Sequence, residues 1–278
     1  MSTNLLTLLE NAEHSESGWP KYQITNDWKQ GRTAYGGLSA ALCLDAAIKS
    51  ADDLPPLRSA QITFVGPIAG DDNIPVEIEI SLLRRGKSVT YIRASLHTEK
   101  GIATEAVFAF GSSRASHFDN TWLPGVDVVT PEQAEPFFPP DAAKLNMAPK
   151  FTQHFDTRLI SGDRPISSSD QHEFFLWVRH LEHAKYAKAQ LDPAVQLLAL
   201  ADMPPPAVLP MFKEFAPVSS MTWMLNFVDT PKTNSDGWWL MQSSAETARE
   251  GYSSQNMLIW NADGKLAVTG RQSVVVFY

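Results

Sequence analysis

Two stretches of this 278-residue chain read as helices with no wet face. The first is expected over residues 34–49, and its early part, Gly36-Gly37-Leu38-Ser39-Ala40-Ala41-Leu42-Cys43-Leu44, is small or apolar on nearly every side. A helix without a polar face must be enclosed by protein. The second opens at Asp192-Pro193, an N-cap acid before a proline at the first helical position, and continues Ala194-Val195-Gln196-Leu197-Leu198-Ala199-Leu200-Ala201-Asp202. Pro204-Pro205-Pro206 stops it.

Each of these segments is followed by four strand patterns. After the first come 61–65, then 74–82 with strict alternation of apolar and polar residues, 88–97 and 102–110, with Arg84-Arg85-Gly86-Lys87 read as a hairpin turn. After the second come 219–227, 238–244, 252–260 and 266–277. The expected units are residues 1–115 and 151–278, joined by a connecting segment, 116–150, that is rich in aromatics and carries Pro136, Pro139 and Pro140. Further strands are expected at 151–160 and 173–179. A long antiparallel sheet wrapped around one buried helix, present twice, is an α+β architecture of the tandem hotdog kind. A Rossmann fold or a barrel does not fit, because the helices do not alternate with the strands.

Composition narrows the function. Lys and Arg total 23 against 31 Asp and Glu, a net charge of −8, with no dense basic block, so neither nucleic acid nor an anionic membrane surface is an expected partner. No apolar run approaches the roughly 18 residues of a membrane span. The first 18 residues contain Glu10, Glu13 and Glu16 and no Lys or Arg, which does not suit a secretory signal. Cys43 is the single cysteine, excluding a disulfide framework and a multi-thiolate zinc site, so the expected compartment is the cytoplasm. A homo-oligomer is a further possible partner state.

Asp202 is the most informative residue. It ends an apolar helix, where the negative end of the dipole opposes an anion by roughly 0.3–1 kcal/mol. Either it emerges into solvent and caps the turn, or it is a general base whose placement raises its pKa. Gln272 lies in phase with Leu266, Val268, Val274 and Val276, so its amide shares the apolar face and needs a partner, within the sheet or in a site. Gly270 beside it could introduce a bulge. Gly36 and Gly37 open the first helix with unpaired amides that could bind a carbonyl oxygen, although close packing accounts for them equally well. Ser220 and Thr222 share a strand face and could hold a water. Cys43, among apolar neighbours, reads as a buried structural thiol. His180 and His183, flanked by Arg179, Glu182 and Lys185, read as a solvated face, and no metal-ligand pattern, Gly-x-Ser-x-Gly elbow or nucleotide fingerprint occurs.

Several anchors together resemble the type II (TesB-like) acyl-CoA thioesterases of the double-hotdog fold. They are Gly31-Arg32-Thr33-Ala34-Tyr35-Gly36-Gly37, Phe64-Val65-Gly66-Pro67, Leu83-Arg84-Arg85-Gly86-Lys87-Ser88, the helix ending in Asp202, and Asp263-Gly264-Lys265-Leu266-Ala267-Val268-Thr269-Gly270-Arg271-Gln272. The resemblance implies hydrolysis of acyl-CoA by a water that an Asp, a Gln and a Thr or Ser orient, with no cofactor and no metal. The first two roles fall on Asp202 and Gln272. The family's threonine falls near Val218, where only Ser219, Ser220 or Thr222 offers a hydroxyl. Apart from the resemblance, Arg84, Arg85 and Lys87 at one turn read either as a solvated hairpin or as a local cationic group for the phosphates of coenzyme A in a chain of net charge −8. Two other readings stand beside it: a non-catalytic acyl-CoA or lipid-binding hotdog protein, and a hotdog hydratase or dehydratase, which expects a His near the first helix start that 33–49 lacks.

Overall fold

The computed structural model describes residues 2–123, 125–127, 129–139, 141–232 and 236–278; Pro140 of the expected connection lies outside them. The helix-plus-four-strand unit occurs twice, as expected. The first buried helix, Gly36–Lys49, precedes strands Leu57–Phe64, Asn73–Arg85, Val89–Thr98 and Gly101–Gly111. The second, Pro193–Ala201, precedes Val218–Phe227, Trp239–Arg249, Tyr252–Asn261 and Leu266–Val276. In both units the fourth strand lies beside the first, followed by the third and then the second, all antiparallel.

The two units do not keep separate sheets. Leu57–Phe64 pairs with Val218–Phe227, from Thr63 opposite Thr222 to Ser59 opposite Asn226, giving one 13-stranded sheet. The first strand of each unit is thus the seam, and neither presents its backbone to solvent as an edge would. The helices pack on each other inside this sheet within one core drawn from both units. They run in opposite directions: Tyr35, the N-cap of the first, donates its hydroxyl to the Ala199 carbonyl near the end of the second, at 2.9 Å. Gly37 permits that crossing, since a Cβ there would lie 2.5 Å from the Tyr35 hydroxyl oxygen.

The repeat can be followed residue by residue. Val65 and Gly66 both donate backbone N–H groups to the Ala103 carbonyl, and Val228 and Asp229 do the same to Ala267. Each first strand carries a bulge, between Leu57 and Ser59 and between Ser220 and Thr222. These landmarks set Leu57 against Ser220, Ile92 against Gln255, and Phe108 against Gln272. On the helices, Asp45 follows Gly36 by the same interval at which Asp202 follows Pro193.

Several local expectations change. Residues 150–154 form a 3-10 turn rather than the start of a strand, because Phe151 stacks on Tyr35 at 4.0 Å between ring centres and His154 on Trp28 at 3.9 Å. The first helix begins at Gly36, Thr33–Ala34 forming a short strand instead. Arg84 and Arg85 lie within a strand, and the turn beyond them is tighter than expected. No register shift occurs at Gly270; a Cβ there would meet Leu225 at 2.5 Å, so close packing accounts for the glycine. The short N-terminal helix Leu5–Glu10 and strand Pro20–Thr25 complete the first unit. Leu5 there donates its N–H to the Tyr186 hydroxyl of the second.

Residues 1–115 expressed alone would expose the seam strand and one face of a largely apolar helix. We expect this fragment to associate or aggregate, with no cooperative urea transition from a monomer, as read by sedimentation velocity and circular dichroism. A fragment that unfolds cooperatively as a monomer would contradict the single-core description.

Candidate active site

The second buried helix delivers its last residue to the start of the first. Asp202 is the C-cap of Pro193–Ala201 and remains half-buried. Gln272, 3% exposed, comes from the centre of the last strand and donates through Nε2 to Asp202 Oδ1 at 2.9 Å and to Ser220 Oγ at 3.0 Å. Helix end, seam strand and last strand therefore converge on one point, which a polar residue on an apolar strand face had signalled. Because Ser220 accepts from Gln272, its own hydroxyl hydrogen is left to donate elsewhere. Asp202 and Ser220 form the partly open side of the cluster, with the glutamine behind them.

Behind Gln272 lies a residue that the sequence reading missed. Gln255, 1% exposed, donates through Nε2 to Gln272 Oε1 at 2.7 Å, and its Oε1 accepts the backbone N–H of Ala207 at 2.8 Å. The signal was present: Gln255 is in phase with the buried Ser253, Met257 and Ile259, the same pattern that marked Gln272.

The carboxylate of Asp202 is under opposing influences. Burial pushes its pKa up to about 7, against partial compensation from the Gln272 amide and the backbone N–H of Gly37. It lies at the unfavourable end of its own helix and at the favourable, N-terminal end of the other. Gly36 makes this approach possible, since a Cβ there would stand 2.8 Å from Asp202 Oδ2.

The first unit shows what the fold requires at these positions. Where the second unit has Ser220, Gln255 and Gln272, the first has Leu57, Ile92 and Phe108, all buried. Apolar side chains therefore satisfy the same architecture, and the polar chain is not demanded by folding. Asp45, the counterpart of Asp202, is 5% exposed and held by Lys49 at 2.8 Å and by the Tyr22 hydroxyl at 3.2 Å. Asp45 is thus closed off by a cation, whereas Asp202 has no cation among its hydrogen-bond partners in the described residues.

Other expected site residues fall elsewhere. The bulge between Ser220 and Thr222 reverses the strand's phase, so Ser220 reaches Gln272 while Thr222 is exposed on the outer face. Arg85 donates to the Asp52 carbonyl beyond the end of the first helix, some 14 helical residues, or about 20 Å, from Gly36. It and Arg84 are not brought to Asp202. His180 is not on a solvated face: it is 3% exposed at the inward end of the alternating strand Glu173–His180, 2.9 Å from the Gln196 carbonyl, and burial pushes its pKa down to about 4. His183 is half-buried. Cys43 is buried, and burial pushes its thiol far up. No cluster of metal-ligating side chains occurs among the described residues, and no helix among them is long and apolar enough to cross a membrane.

Comparison with known proteins places the chain by fold and by family. The profile of the acyl-CoA thioesterase C-terminal domain matches residues 131–276, and that of the N-terminal domain matches residues 24–111. A hot dog fold protein of unknown function from Alicyclobacillus acidocaldarius is 23% identical, covers 99% of this chain and 98% of its own, and superposes with a TM-score of 0.81. A putative thioesterase II from Thermobifida fusca YX is 17% identical, with 99% and 97% covered and a TM-score of 0.77. The tesB protein of Mycobacterium avium subs paratuberculosis is 17% identical, with 98% of both chains covered and a TM-score of 0.74. No curated protein matches the sequence significantly. At such identities the solved structures establish the tandem hotdog fold, and the two profiles establish descent. The chain belongs to the acyl-CoA thioesterase family.

Proposed function

We propose that the protein hydrolyses acyl-CoA thioesters to the free acid and coenzyme A, using a water held by Asp202 and Ser220, both of which Gln272 positions. The observation that carries this reading is the convergence of those three side chains at the start of the first helix, in the one unit of the repeat that has them. Asp202 in its ionised form accepts a proton from the water as the water oxygen attacks the thioester carbonyl carbon. The Ser220 hydroxyl, polarised by accepting from Gln272, donates to the same water and orients it. The backbone amide of Gly37 is engaged with Asp202, which leaves Gly36, of the two glycines, to face the developing oxyanion. Collapse of the tetrahedral intermediate breaks the carbon–sulfur bond, and Asp202 returns its proton to the departing thiolate. No covalent acyl-enzyme forms.

A pKa near 7 places this base close to the working pH, so the rate should rise with pH through that value. A panel of short-, medium-, long-chain and aromatic acyl-CoAs, assayed with a thiol reagent, tests the reading directly. Binding across the panel without thiol release would favour a non-catalytic acyl-CoA-binding role. Replacing Asp202→Asn or Gln272→Ala should each lower turnover by about 10²–10³. The double replacement should fall well short of the product of the two losses, since both damage one step.

The same carboxylate should be a liability for stability. A carboxyl whose pKa is raised in the folded state binds more protons there than when unfolded, so stability falls as pH rises from about 4 to about 7. The Asp202→Asn protein should therefore be more stable than the wild type at pH 8, by about 1–4 kcal/mol, and nearly equal to it at pH 4. Denaturant unfolding at the two pH values measures this. Equal stabilities at pH 8 would show that Asp202 is not desolvated as described.

A further inference from the structure

The orientation of a glutamine amide is settled by whichever partner has only one possible role. In this protein that partner is the backbone of Ala207. Pro204, Pro205 and Pro206 have no N–H, so Ala207 supplies the first backbone donor on the loop after Met203. Its N–H can only donate, so the oxygen of Gln255 must face the loop and the Gln255 Nε2 must face Gln272. Gln272 consequently presents its oxygen to Gln255 and both of its N–H donors to the site, one to Asp202 and one to Ser220. The bonds close a ring: Asp202, the short loop to Ala207, Gln255, Gln272, and back to Asp202.

We propose that Gln255 is a positioning residue for the reaction, fixing which end of the Gln272 amide faces Asp202 and Ser220. The catalytic meaning rests on the thioesterase reading; the orientation itself does not. The first unit supports a role beyond folding, because the matching position is Ile92, packed beside Phe108. Without Gln255, the Gln272 amide is free to rotate by half a turn. Its oxygen would then accept a hydrogen bond from protonated Asp202, favouring the inactive form of the base. It would also draw the Ser220 hydroxyl hydrogen to itself and away from the water.

Gln255→Met keeps the volume and removes both polar ends. We expect the midpoint of the Asp202 titration, followed by carboxyl ¹³C NMR, to rise by about one unit, because hydrogen bonding to the charged form is exchanged for bonding to the neutral form. The ascending limb of the rate profile should move with it, and turnover at pH 7 should fall by up to about tenfold. A merely structural role would lower activity without moving the limb. The Tyr35 hydroxyl, kept protonated by burial and bonded to the Ala199 carbonyl, is the titratable neighbour of Asp202; Gln272, Ser220 and the Gly37 amide do not titrate. The midpoint therefore reports the amide chain.

The wild-type protein offers a second measurement that needs no variant. The Gln255 side-chain amide ¹⁵N signal should shift with the Asp202 midpoint, relayed through Gln272. A folded Gln255→Met protein with an unchanged midpoint, or a Gln255 signal indifferent to the titration, would overturn the proposal. Failure of the wild type to release thiol from any acyl-CoA would instead remove the thioesterase reading, while the NMR titration would still decide the orientation.

Discussion

The pairing of Leu57–Phe64 with Val218–Phe227 is the interaction on which the rest of this molecule depends. Each half supplies a helix with no wet face, which must be enclosed by protein on every side. Joining the halves through their first strands makes one sheet and brings the helices together head to tail inside it. The end of the second helix then meets the start of the first. The candidate site lies at that meeting, so Asp202, Ser220 and Gln272 belong to one half while the glycines facing them belong to the other.

This arrangement sets a carboxylate against strong opposing forces. Desolvation disfavours its charge, while the amide of Gln272 and the start of the neighbouring helix favour it. The balance falls near neutrality, where a group can both take and return a proton. A cation beside it, as Lys49 stands beside Asp45, would favour the charged form and make the carboxylate a weaker base. Within the chain, Asp45 shows the same burial partly offset by a cation, while Asp202 is offset only by the Gln272 amide and the Gly37 backbone N–H.

Much of this was legible in the sequence, for identifiable reasons. Helices without a wet face and strands of period two report burial directly, so the repeated unit could be read from residue order. Asp202 and Gln272 stood out because each interrupts an apolar pattern. Gln255 does so equally, but its neighbours Ser253 and Ser254 hide the pattern among other polar residues. Thr222 was misplaced because a bulge changes no residue type; it only inverts which side of the strand a residue faces. Which strands meet at the seam was illegible for a different reason. Seam partners such as Ile62 and Trp223 lie far apart in sequence, and no local pattern specifies which strand edge will be covered.

The unequal furnishing of the two units bears on kinetics. A symmetric pair of sites in one body could communicate through the shared helices, each reporting its occupancy to the other. Here the first unit fills the corresponding space with Leu57, Ile92 and Phe108, so no second polar cluster of this kind occurs among the described residues. On the proposed thioesterase reading, a monomer should therefore saturate hyperbolically with substrate, and any sigmoidal response would arise from contacts between separate chains.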